Sequence, residues 1–137
     1  MNTVLNNATE ILLLLFLIIT FLQSGFDKIT DWNGNISWLK EHFSKTIFKN
    51  IVPLLVGIIL VTEVVAGLLC VVGVYEIFSS GKLSFALYGA ILSGITLLML
   101  LFGQRLAKDY EGAKTIAVYF IPTILLVFLL QAQNYHF

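Results

Sequence analysis

One carboxylate in this chain stands where a carboxylate is costly. Glu63 is the only charged residue between Ile51 and Tyr75 and lies midway along that run, about 18 Å of helix from either end. A charge at the centre of a bilayer costs about 2.5–3.5 kcal/mol on insertion scales, so such a group is expected to face a bundle interior, to be protonated or to pair with a donor. Proton acceptance is the chemistry that this position offers, which makes Glu63 the candidate catalytic residue. Gly67 and Cys70 follow on the same helical face and leave a narrow groove for another helix or a ligand. Two polar clusters close other apolar runs: Gln23, Ser24, Gly25, Asp27 and Lys28 in one, and Gly103, Gln104, Arg105, Asp109 and Glu111 in the other. Lys28, Gln104 and Arg105, with Gly67, are expected to form a ligand pocket opening toward Glu63. The carboxylate would lie about three turns deeper than the two basic residues, so water or a ligand head group would bridge them.

Other chemistries find no residues to carry them. Cys70 is the single cysteine, which excludes an internal disulfide or a CxxC redox pair. His42 and His136 lie in a loop and at the extreme terminus, where they give neither a zinc spacing nor a haem pair, and no metal is expected. Phosphate-loop, nucleophile-elbow and triad patterns are absent. Whether the chain is itself an enzyme is left open: a redox role would draw on a diffusible quinone or on cofactors held by partner subunits. Nucleic acid is not an expected partner.

The elements that position these residues follow from composition. With 58% hydrophobic and 12% charged residues in 137, and a mean hydropathy of +0.94, the chain is an integral membrane protein. Crossing about 30 Å of hydrocarbon takes about 20 apolar residues, and lipid forces each backbone polar group to bond within its own helix or a closed barrel. Runs of this length without inside/outside alternation are helices. The fold expected is all-α: a single four-helix transmembrane domain over 1–137, with helices at about 7–27, 51–75, 83–107 and 114–134. The first run has no Lys or Arg before it and no small-residue cleavage site, and is read as a mature helix rather than a signal peptide. In the third, Ala86, Ala90 and Gly94 make a small-residue stripe suited to close helix packing.

Seven of the eight Lys and Arg residues fall in the first and third connections, which places loops 27–50 and 105–114 in the cytoplasm and both termini outside. Within the first connection, Ile36, Leu39, Phe43 and Ile47 recur at three- and four-residue steps. Trp38 stands beside them, and Lys40, Glu41, Lys45 and Lys49 fall mostly between. This spacing predicts an amphipathic interfacial helix over about 36–49. Trp38, Phe43 and Ile47 are its candidate partner-binding residues.

Four helices in so short a chain, SGFDK (Ser24 to Lys28) closing the first, Glu63 followed by Gly67 and Leu69 in the second, and a polar turn after the third resemble the DoxX-like family of small bacterial membrane proteins. The resemblance covers nearly the whole chain. It implies a four-helix membrane bundle in the bacterial inner membrane, with Gly25, Lys28 and Glu63 at the family's glycine, lysine and acidic positions. By association it implies a link to quinone-coupled oxidoreductases, since the related DoxD and DoxA polypeptides form a thiosulfate:quinone oxidoreductase. The lone Cys70 argues against the related branch that carries out disulfide exchange. The function expected is a subunit or accessory of a quinone-linked redox complex. An assembly partner in a larger membrane complex is the alternative, and a small proton-coupled carrier ranks behind both.

Overall fold

The computed structural model describes residues 5–135; His136 lies outside them. Among the described residues five helices are delimited: α1 (Ala8–Thr30), α2 (Trp32–His42), α3 (Val52–Ser80), α4 (Ser84–Leu106) and α5 (Tyr110–Tyr135). All but α2 are long and apolar enough to cross a membrane. The fold is an all-helical four-helix membrane bundle, and no strand occurs among the described residues.

Neighbouring spans run antiparallel and form a ring. α3 packs most extensively on α4, α4 on α5, and α1 on α3; a smaller α1–α5 contact closes the circuit. Small residues set the spacing, as expected where apolar lipid offers little hydrophobic drive to helix association. A Cβ on Gly73 would lie 2.6 Å from Ala86 Cα, and one on Gly89 would lie 2.9 Å from Cys70 N. The stripe Ala86, Ala90, Gly94 is therefore the seam against which α3 and α5 lie, and all three residues are buried. Leu14, Leu17, Phe21, Leu97, Leu126 and Leu130 fill the centre.

Helix ends follow local chemistry. Pro53 stands in the first turn of α3, where its missing N–H costs nothing. Gly81 ends α3 with φ 77° and donates its N–H to Glu76 O and Ile77 O, a left-handed cap that glycine adopts without strain. Asp109 begins α5 by accepting the Gly112 N–H on Oδ1 at 2.9 Å, so the helix starts four residues before the expected position 114.

The amphipathic segment differs from its expected range of 36–49. The helix covers Trp32–His42, and residues 43–50 form successive tight turns. Ile36 and Leu39, with Phe43 just past the helix, do share one inward face, packed on Val52 and Val56 of α3. Past Phe43 the Thr46 hydroxyl donates to Phe43 O at 2.9 Å and accepts the Phe48 N–H at 3.1 Å. That side-chain route satisfies the backbone in place of helical bonds and lets the chain reverse into α3.

A candidate ligand site at the basic end of the bundle

α1 and α3 meet in a fixed antiparallel register. Gly67 lies against Leu22, with its would-be Cβ 2.6 Å from Leu22 Cδ2, and Gly25 faces Val64 and Leu60. One turn beyond Gly25, Lys28 therefore falls beside Glu63. Helical Cα–Cβ bonds tilt toward each helix's own N-terminus, so in an antiparallel pair these two side chains lean toward one another. Lys28 Nζ is 2.9 Å from Glu63 Oε1 and donates to Ser24 Oγ at 2.7 Å. Glu63 Oε1 accepts no hydrogen bond from the described residues, so charge holds this pair. Glu63 is 2% exposed and Lys28 18%.

This direct contact corrects the expected three-turn separation. Halving the apolar run Ile51–Tyr75 put Glu63 at mid-depth, but the first turns of α3, Val52 and Val56, lie level with α2 and pack on Ile36. α1 meanwhile continues to Thr30. Glu63 is thus about one turn of α1 from the end of that helix, within reach of a lysine stem.

Beside the pair lies a cavity of about 480 Å³. Its walls are the first two turns of α3 and the last three of α4, with Leu39, Phe43 and Phe48 beneath. The lining is apolar apart from Lys28 and Gln104. Ile58, Ile95, Leu98 and Phe102 both line it and stand exposed on the outer face of the bundle, so it opens sideways between α3 and α4, toward the surface that faces lipid.

A second polar node closes the cavity's other flank. His42 Nε2 lies 3.0 Å from Gln104 Oε1 and 3.5 Å from Asp109 Oδ2, and the ring stacks on Trp38 at 4.7 Å. Gly112 admits this node, since a Cβ there would stand 2.7 Å from Asp109 Oδ2 and 2.8 Å from Gln104 Nε2. Phe43 meets the His42 ring edge-on and faces Gly103. The first and third connections thus meet at the same end of the bundle.

Of the residues singled out from sequence, Lys28 and Gln104 line the cavity, and Glu63 is joined to it through Lys28. Gly67 is buried against Leu22, away from the cavity. Arg105 is exposed, its guanidinium 5.2 Å from the centre of the Tyr110 ring. Asp109 turns to His42 and its own helix rather than to Arg105. Trp38 is 59% and Ile47 80% exposed, whereas Phe43 points inward as a wall of the cavity.

Sequence reasoning missed His42, whose sixty-two-residue separation from Gln104 left no local signal. It also passed over Glu10, buried at the opposite end and accepting a hydrogen bond from Gln133. A carboxylate only one residue before an apolar run was the available clue. Among the described residues no group of His, Cys, Asp and Glu is placed to hold a metal. Comparison with family models, with curated proteins and with solved structures finds no match for this chain.

Proposed function

We propose that this protein binds a membrane-soluble, quinone-type molecule and serves as a subunit or accessory of a quinone-linked redox complex in the bacterial inner membrane, as its resemblance to the DoxX-like family implies. The observation that carries this reading is the lipid-facing apolar cavity with an ion-paired lysine at its edge. A hydrophobic chamber with very few polar groups suits a lipophilic ring bearing a small number of acceptor oxygens. An ammonium has three donors; Lys28 gives one to Ser24 and keeps capacity for a carbonyl oxygen in the cavity. Reduction of a quinone takes up protons as well as electrons. Glu63, in contact with Lys28, is the residue that would hold a proton, while electrons would come from a partner subunit. Phe43, Phe48 and Phe102 supply ring faces against which a flat head group packs.

The orientation that goes with this function puts the basic end in the cytoplasm, following the distribution of Lys and Arg. Trp38 and Ile47, both exposed, are where a partner subunit would dock. Their exposure also favours the second reading, that of an assembly partner. Replacing both by serine and finding co-purification of membrane proteins unchanged would count against a docking role.

Titration of the protein in lipid nanodiscs with a short-chain quinone tests the binding claim. Saturable binding is expected, abolished by Leu98→Trp, which fills the lateral opening, and weakened by Lys28→Met. Binding that ignores both substitutions would refute the cavity as the site.

A further inference from the structure

A smaller recess of about 290 Å³ lies where the first and third connections meet. Two connections distant in sequence form it. One wall carries Glu41, His42, Ser44, Lys45 and Thr46; the other is Leu106, Ala107 and Lys108. His42 is occupied by Gln104 and Asp109, and Thr46 by its own turn. Lys45, Lys108 and Glu41 thus remain as charged groups on the rim without an ion-pair partner among the described residues. Lys108 is held at φ 59°, and no other non-glycine among the described residues has a positive φ. Lysine pays a steric penalty in this conformation, which glycine would relieve. Leu106 ends α4, so the recess sits where that span leaves the hydrocarbon, at the depth of lipid head groups.

We propose that this recess is a phospholipid head-group site, with Lys45 and Lys108 taking the phosphodiester and Glu41 accepting from a donor on the head group, an ammonium or a hydroxyl. Two lysines that line one recess from separate connections suit a phosphate anion by charge, as basic pockets beside membrane helices do. One carboxylate beside them disfavours a dianion and selects a head group that carries a hydrogen-bond donor. Ethanolamine and glycerol head groups meet that requirement, whereas choline, whose nitrogen bears no hydrogen, does not.

Native mass spectrometry on the full chain released from nanodiscs tests the assignment. Three discs would be compared, enriched in phosphatidylethanolamine, phosphatidylglycerol or phosphatidylcholine, with millimolar inorganic phosphate in a parallel series. One lipid is expected to stay bound from the first two discs and not from the third. Lys45→Gln with Lys108→Gln should reduce retention about thirty-fold, at about 1 kcal/mol per lysine near a lipid surface. Glu41→Ala, which removes the acceptor, should remove the discrimination against choline without unfolding the chain, since the side chain is exposed. Equal retention of all three lipids by the wild type, or retention indifferent to the double lysine substitution, would overturn the site. Displacement of the lipid by inorganic phosphate at these concentrations would assign the recess to free phosphate and overturn the lipid. None of these outcomes depends on quinone binding.

Discussion

The Lys28–Glu63 pair makes an asymmetric prediction about stability. Lys28→Met keeps the stem and deletes the ammonium, stranding Glu63, 2% exposed, as an unpaired charge in a site with little access to water. Removing one partner of a buried pair typically costs about 3–5 kcal/mol, and the lower end, about 3 kcal/mol, applies here because Lys28 is itself 18% exposed. Glu63→Gln strands the lysine instead, but Ser24 still accepts from it at 2.7 Å and the stem can turn its head group toward water. That substitution should cost about 1 kcal/mol, the value of one lost partner to a solvated charge. The double variant Lys28→Met with Glu63→Gln removes both charges and should be more stable than Lys28→Met alone by about 2 kcal/mol, since no charge is left unmatched. Reversible unfolding of the four proteins in mixed micelles, run as a double-mutant cycle, measures these quantities. Equal costs for the two single variants, or additivity to within about 0.5 kcal/mol, would refute the claim that a desolvated pair couples α1 to α3.

Gly73→Val places branched carbons where a Cβ alone would already lie 2.6 Å from the Ala86 backbone; separating α3 from α4 should cost about 3 kcal/mol or more in the same unfolding assay. Gly112→Ala drives a methyl group into Asp109 Oδ2 and Gln104 Nε2. It should break the His42 node, seen as loss of the close His42–Gln104 contact in a structure of the variant and faster hydrogen exchange over 42–50. Lys108→Gly relieves the left-handed strain at φ 59° and should stabilise the fold by about 1 kcal/mol; a destabilised variant would contradict the conformation given to this turn.

The four spans were legible because the bilayer constrains them so strongly: about 20 apolar residues per crossing and no unsatisfied backbone leave few alternatives. The small-residue seam was legible for a related reason, since Ala86, Ala90 and Gly94 recur at four-residue steps, which is how apolar membrane helices approach closely; that Gly73 meets Ala86 is visible only in the packing. Depth was harder. Glu63 sits midway between Ile51 and Tyr75 in the sequence, yet α3 begins below the level at which α1 ends, because Val52 and Val56 are covered by α2. That overlap is tertiary, and hydropathy along one segment carries no trace of it. The placement of Phe43 was hidden for the same reason: its spacing announced an apolar face but not that this face packs by the chain's own α3 and lines the cavity. His42 looks like an isolated polar residue and Asp109 like one member of a polar helix end, and only the meeting of the two loops brings them together.

The central claim, that the lateral cavity takes a quinone-type ligand beside Lys28, is most directly tested by photolabelling. A quinone carrying a diazirine on its ring would be irradiated with the protein in nanodiscs and the adducts mapped by peptide sequencing. Labels are expected on 95–104 of α4 and 52–59 of α3, suppressed by excess unlabelled quinone and by Leu98→Trp. Labels spread over the outer face of α5, or adducts that unlabelled quinone does not compete away, would contradict it.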